Sequence, residues 1–112
     1  MEGNEIKMKT IKQIRTDLRE IKYYYSKDKD FERASELIGK PTILTKVDLY
    51  NRLITKAPMR LYDLYISLYV YNNTLLVISE DWCLSLGYVK ALNRKLYEFL
   101  LNELNKEEKE NV

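Results

Sequence analysis

Apolar residues recur along most of this chain at alternating steps of three and four, the spacing that places them on one face of an α-helix. No stretch alternates apolar and polar residues in the manner of a strand. The pattern therefore predicts an all-α fold, a small domain of about five helices. The predicted inward positions are Ile11, Ile14, Leu18, Ile21 and Tyr25; Phe31, Ala34 and Leu37; Leu44, Val47, Tyr50 and Ile54; and Leu61, Leu64, Tyr65 and Leu68.

Glycine, proline and asparagine residues mark where these helices end. Gly39-Lys40-Pro41 separates a short helical piece at 28–38 from a helix at about 41–56, and Ala57-Pro58 starts the next helix. Asn72-Asn73 ends that helix, since asparagine tolerates left-handed backbone geometry. The predicted segments are an N-terminal basic amphipathic segment at 1–40, a helical bundle at 41–105 and an acidic tail at 106–112.

Residues 69–97 are typical of a helix-turn-helix, in which one helix braces and the next lies in the DNA major groove. Thr74 and Ser85 are good N-caps for two helices separated by a tight turn, so we place the motif at 74–97. The second helix is expected to continue to about Asn105. The predicted buried stripe of the pair is Ile78, Trp82, Leu84, Tyr88 and Leu92.

The same stretch resembles the helix-turn-helix of sigma factor region 4. It more closely resembles the small late-transcription activators of phages of Gram-positive bacteria, the RinA and ArpU-like groups. Residues 57–70 and 14–27 also look like this phage group. The resemblance implies a sigma-region-4-like motif and activation of late phage genes through the host RNA polymerase. The matching positions are Tyr69, Thr74, the Ile78-Ser79 pair, the Cys83-Leu84 turn, Tyr88-Val89 and Leu92.

Several positions depart from that pattern. Leu86 and Gly87 stand where a sigma-type reading helix carries long polar side chains. Cys83 replaces the usual glycine of the turn, and we expect it to be buried as a small apolar residue. Leu76 and Val77 occupy positions that are normally polar. Two explanations are open for them: a slightly rotated helix buries both against the preceding helix, which we favour, or they form a protein interface.

Cations on the second helix make it the candidate DNA-reading element. Lys90 lies one turn into the helix, where it can reach a base edge, whereas Arg94 and Lys95 are expected to contact phosphates. Ser85 and Asn93 are expected as minor partners. The predicted DNA-binding residues are Ser85, Leu86, Lys90, Asn93, Arg94 and Lys95.

The first amphipathic helix, at about 7–22, has a basic outer face with Asp17 and Glu20 interspersed. Its narrow apolar seam has coiled-coil spacing, which favours a homodimer with the basic face left outward. That face could be an ordinary solvated surface, a partner-binding surface or a phosphate-binding one. In the last case the predicted phosphate contacts are Lys12, Arg15, Arg19 and Lys22.

The amino-acid composition excludes several classes of catalytic and metal site. The formal net charge is only +2, but residues 1–60 hold 14 basic and 9 acidic side chains, while residues 61–112 hold 5 and 8. The absence of histidine and the single cysteine exclude a Ser-His-Asp or Cys-His catalytic centre and a multi-residue thiolate or imidazole metal site. We expect no enzymatic activity, no cofactor and no metal. Without a long apolar run or an apolar leader, the chain is expected in the cytoplasm and not in a membrane.

These patterns lead to one hypothesis and one alternative. The hypothesis is a sequence-specific transcription regulator in a bacterial host cell, which binds double-stranded DNA and acts through the host RNA polymerase. The alternative is a helical protein-interaction module, binding polymerase or another host protein, whose helix-turn-helix does not read DNA. The alternative draws on the acidic C-terminal half and on Leu76, Val77, Leu86 and Gly87.

Overall fold

The computed structural model describes residues 10–26 and 40–110, and within this part of the chain it contains helices and no strand. The prediction of an all-α fold is confirmed. The helical piece predicted at 28–38 lies outside the described residues. The helices are α1 (Ile11–Ser26), α2 (Lys40–Ile54), α3 (Met59–Tyr65), which continues as a π-helical turn (Ile66–Val70), α4 (Leu75–Asp81) and α5 (Leu86–Glu110).

Local chemistry accounts for most of these boundaries. Thr10 and Gln13 form a reciprocal capping box at the start of α1: the Thr10 N–H donates to Gln13 Oε1 at 2.8 Å, and the Gln13 N–H donates to Thr10 Oγ1 at 3.3 Å. Pro41 lies in the first turn of α2, and Pro58 immediately precedes α3. Asn72 ends the π-helical turn with a φ of 61°, as the prediction of an asparagine cap requires.

The hydrophobic core is built around α5, whose buried positions Val89, Leu92, Leu96, Leu100 and Leu104 face the other helices. The seam of α1 belongs to the same core. Its residues Ile14, Leu18 and Ile21 are fully buried inside the chain, because α1 packs against the π-helical turn, α5 and α2. The expectation that this seam is free for a coiled-coil dimer is therefore wrong.

Two predictions about helix phase and length are corrected. Leu44 was expected inward, but its neighbour Ile43 is buried instead and Leu44 is exposed. The next inward positions of α2, Val47 and Tyr50, were predicted correctly. The last helix continues beyond Asn105, to Glu110.

A buried polar cluster joins α1 to α2. Asp17, expected on the outer face of α1, is only 5% exposed and accepts a hydrogen bond from the Tyr50 hydroxyl at 2.6 Å. Lys46 forms ion pairs with Asp17 at 3.1 Å and with Glu20 at 2.5 Å. Burial alone would lower the pKa of Lys46, but the two carboxylates raise it above its ordinary value. Asp17 is therefore a structural residue that is compensated by Tyr50 and Lys46.

A second polar pair joins the end of α1 to the π-helical turn. The Lys22 ammonium donates to the carbonyl oxygen of Leu68 at 2.7 Å, and the Asn72 side-chain amide donates to the carbonyl oxygen of Lys22 at 3.2 Å. Partial burial lowers the pKa of Lys22. These bonds fix α1 beside the chain segment that leads into α4.

Candidate nucleic-acid interface

The helices α4 and α5 form the predicted pair, and both begin at the predicted caps. The hydroxyl oxygen of Thr74 accepts a hydrogen bond from the Val77 N–H at 3.1 Å. The hydroxyl oxygen of Ser85 accepts one from the Tyr88 N–H, also at 3.1 Å. Each cap satisfies a backbone donor that the first turn of its helix would otherwise leave without a partner. Two helices separated by a tight turn are therefore present within 74–97, and the second of them extends well beyond this range.

The turn between them is a Schellman motif centred on Cys83. The N–H of Leu84 donates to the carbonyl oxygen of Ser79 at 2.9 Å, and the N–H of Cys83 donates to that of Glu80 at 3.2 Å. Trp82 is the C-cap of α4, and Cys83 has a φ of 57°. This is left-handed backbone geometry, which glycine adopts without steric cost and which Cys83 adopts here despite its side chain. Cys83 is exposed, and the expectation that it is buried is wrong.

The inner face of the pair packs α4 against α5. Ile78 and Ser79 are buried on α4, and the Ser79 hydroxyl donates to the carbonyl oxygen of Leu76 at 2.7 Å. Trp82 is half-buried, and the guanidinium of Arg60 lies 5.1 Å from the centre of its ring. This cation–π contact ties the start of α3 to the end of α4.

The predicted set of buried residues on α5 is wrong at one position. Tyr88 was expected to be buried with Leu84 and Leu92, but its side chain is 50% exposed. Its neighbour Val89 is fully buried in its place. The inward face of α5 therefore continues from Val89 to Leu92 and Leu96, and Tyr88 is turned to the outer surface.

Most of the predicted DNA-binding residues share the outer surface of α5. At 100° per residue, positions 87, 90 and 94 lie on one face, and 88 and 95 lie on the adjoining edge. Leu86 is half-buried, and Ser85 is exposed although its hydroxyl serves as the cap. We call this surface the α5 outer face. Its exposed residues are Ser85, Gly87, Tyr88, Lys90, Arg94 and Lys95.

Asn93 does not belong to the α5 outer face, which corrects its prediction as a DNA contact. It is 9% exposed, and its side-chain oxygen accepts a hydrogen bond from the Tyr69 hydroxyl at 2.8 Å. Its side-chain nitrogen donates to the Tyr97 hydroxyl at 3.0 Å. Burial is the main cause that raises the pKa of Tyr69, and the contact with Tyr97 adds to it, whereas Asn93 and the charge of Arg15 act in the opposite direction. Asn93 thus holds α5 in position.

Three of the four basic residues predicted on α1 remain available. Lys12, Arg15 and Arg19 are exposed and lie at i, i+3 and i+7, so they form one stripe, which we call the α1 basic stripe. Lys22 is not part of it, because its ammonium is bonded to the carbonyl of Leu68. The charge of Arg15 acts on the Tyr69 hydroxyl, which in turn contacts Asn93. The α1 basic stripe thus lies on a helix that packs against α5.

Two acidic residues near the C-terminal end of α5, Glu103 and Glu107, are paired with cations of α2 or of the chain just after it. Glu107 forms a two-pronged ion pair with Arg52, which lowers the pKa of that carboxyl, and Glu103 lies 3.8 Å from the Lys56 ammonium. Position 107 is 17 residues beyond Lys90, a distance of about 25 Å along a helix. Glu103 and Glu107 therefore lie far from Lys90, whereas the exposed Glu98 lies one turn beyond Arg94 on the same side of α5.

The outer face of α4 carries the two apolar residues whose placement was open. Leu76 is 53% exposed and Val77 is 39% exposed, so the favoured explanation, burial against the preceding helix, is wrong. Glu80 and Asp81 follow on the same side one turn later and are also exposed. Apolar and acidic side chains therefore share the solvent side of α4, which we call the α4 outer face.

Comparisons with known proteins add no relative: searched against family models, curated proteins and solved structures, the chain matches none of them. None of the helices in the described residues combines the length and the apolar character needed to cross a membrane. Within those residues, no three Cys, Asp or Glu side chains come together as ligands for a metal ion. The site must be interpreted from its own residues.

Proposed function

We propose that this protein is a sequence-specific DNA-binding transcription regulator that inserts α5 into the major groove of double-stranded DNA. The observation that carries the proposal is the α5 outer face: from 85 to 97 it offers three exposed cations and no acid, on a helix that follows a capped turn. An exposed helix with this geometry and sign of charge is the usual element of major-groove docking.

Each cation has a distinct role in this proposal. Lys90 is near enough to the start of α5 to reach a base edge, while Arg94 and Lys95 contact phosphates. The α1 basic stripe would add a second set of phosphate contacts, because α1 packs against α5 and its three cations are exposed. Phosphate contacts made from two elements would fix the orientation of the reading helix, which contacts from α5 alone would leave free to tilt.

The biological role follows only from the resemblance to phage late-transcription activators. The proposal is that the protein acts in the cytoplasm of a bacterial host and recruits the host RNA polymerase to late phage genes. Two copies could occupy repeated half-sites, but the seam of α1 is buried within each chain. A homodimer would therefore have to form through another surface.

A second candidate function, a protein-interaction module, is favoured by one observation. The α4 outer face leaves Leu76 and Val77 exposed beside Glu80 and Asp81, a combination that a protein with apolar and basic residues would complement. In this reading the exposed cations of α5 are an ordinary solvated surface.

Salt dependence of DNA affinity tests the proposal against this alternative. Binding to a fluorescent duplex is measured between about 50 and 200 mM salt for the wild type, for Arg94→Ala/Lys95→Ala, and for Lys56→Ala/Lys106→Ala as a control with the same charge change. The logarithmic slope should fall by roughly two for the α5 variant, about one for each lost phosphate contact. The control should keep the wild-type slope. Equal slopes for all three proteins, or no binding by any, would contradict the proposal.

A further inference from the structure

Few side chains at the start of α5 can form hydrogen bonds with a base pair. Residues 85–91 contain no amide, no guanidinium and no carboxylate, and the nearest amide, Asn93, is engaged with Tyr69 and Tyr97. The paired donors and acceptors that recognise adenine or guanine in a two-pronged manner are therefore missing from the first two turns. What remains there is the ring and hydroxyl of Tyr88, the partly exposed Leu86, the Ser85 hydroxyl, which caps the helix, and a single ammonium, that of Lys90.

Apolar contact has one specific target in the major groove, the C5-methyl group of thymine. Tyr88 is suited to it because half of its side chain is exposed on the edge of the α5 outer face. The backbone N–H of Tyr88 is bonded to the Ser85 hydroxyl, which fixes the point from which the ring projects. Contact with a base therefore has to order only the two side-chain torsions of Tyr88 and not the backbone.

Gly87 provides the clearance that such a contact requires. A side chain built at this position would meet no atom within 4 Å, so the space outside the helix is empty at Gly87. Because glycine has no side chain, a base pair can approach the backbone of α5 more closely here than at any neighbouring position. Tyr88 and Lys90 project about 100° and about 60° to opposite sides of Gly87 around the helix, so a close approach at Gly87 lets their long side chains reach base edges on its two sides.

We infer that α5 recognises its operator mainly through thymine methyl groups, with Tyr88 as the specificity-determining residue and Lys90 donating to a purine acceptor on the other side of Gly87. The inference rests on the proposed function and goes beyond it by naming the base and the group that are read. The inference assigns no role in base recognition to Tyr71. This residue is more exposed than Tyr88, but it lies before α4 and outside the α5 outer face.

Replacement of thymine by uracil tests the inference, since it removes the methyl group and leaves the hydrogen-bonding pattern of the base pair unchanged. Duplexes selected from a random pool are prepared with thymine or with uracil, one position at a time. At the read positions, wild-type affinity should fall about fourfold for each methyl lost, the effect of about 0.8 kcal/mol for one buried methyl-sized group. Tyr88→Ala should bind both duplexes equally, Tyr88→Phe should keep the difference, and Tyr71→Ala should behave as wild type.

The outcomes separate the inference from the proposal on which it rests. If the folded protein binds no duplex, both fail. If it binds selected duplexes but thymine and uracil are equivalent at every position, DNA binding stands and methyl recognition is overturned. If the difference persists in Tyr88→Ala, the methyl is read by another residue and the assignment to Tyr88 is overturned.

Discussion

The hydroxyl of Tyr69 donates a 2.8 Å hydrogen bond to the side-chain oxygen of Asn93, and this bond joins the π-helical turn to the second turn of α5. Both residues are almost completely buried, so the bond is made away from water, where an unpaired polar group is costly. The position of the proposed reading helix thus depends on a polar contact between residues that are 24 apart in sequence.

Tyr69→Phe should lower the free energy of unfolding by about 1–2 kcal/mol, because it leaves the side-chain oxygen of Asn93 without its buried donor. Chemical denaturation measures the effect. Tyr71→Phe is the matched control, since Tyr71 is largely exposed and should lose less than about 0.5 kcal/mol. Equal effects for the two variants would show that the buried bond does not stabilise the fold.

Cys83→Gly should raise the free energy of unfolding by about 1 kcal/mol. A residue with a side chain pays about 1–2 kcal/mol to adopt left-handed geometry, and the greater freedom of glycine in the unfolded chain cancels part of the gain. Thermal unfolding of Cys83→Gly and of Cys83→Ala measures it, because alanine removes the thiol and keeps the strain. If both variants were stabilised equally, the gain would come from removal of the thiol and not from relief of backbone strain.

Stability should fall steeply above pH 10. Burial is the main cause that raises the pKa values of Tyr50, Tyr65 and Tyr69 above their ordinary value of 10.0. Above pH 10 these tyrosines ionise in the unfolded chain while the folded chain keeps its protons, so the unfolded state is favoured. Each contributes up to about 1.4 kcal/mol per pH unit. The contribution is fully present below pH 10 and is lost as the pH rises.

Tyr65→Phe provides the check on that slope. Unfolding free energies measured at pH 9, 10 and 11 should decline less steeply for this variant than for the wild type, because one of the three buried phenols is removed. An unchanged slope in Tyr65→Phe would mean that its hydroxyl is not protected in the folded state.

Leu76→Ser should change stability by less than about 0.5 kcal/mol, because the side chain lies on the α4 outer face. Ile78→Ala, two positions along the same helix, removes a buried side chain and should cost about 2–4 kcal/mol. Thermal unfolding distinguishes the two. A large loss of stability in Leu76→Ser would mean that the α4 outer face is packed within the protein and is not available to a partner.

Local features of this fold could be predicted from sequence because their causes are local. Thr74 and Ser85 cap the helices that follow them, and Asn72 ends a helix through its own backbone tolerance. Asp17 and Asn93 were misplaced because their partners, Tyr50 and Tyr69, are distant in sequence. Tyr88 was misplaced because a shift of one residue rotates a helical position by 100°, which exchanges the exposed and buried neighbours.

Selection of bound duplexes from a random DNA pool at near-physiological salt tests the central claim most directly. The account predicts an enriched motif for the wild type and none for Lys90→Glu/Arg94→Glu/Lys95→Glu, which should keep its fold because all three side chains are exposed. The spacing of half-sites in that motif would also show whether two copies bind together. The absence of any enriched motif for the folded wild-type protein would contradict the assignment of α5 as a DNA-reading helix.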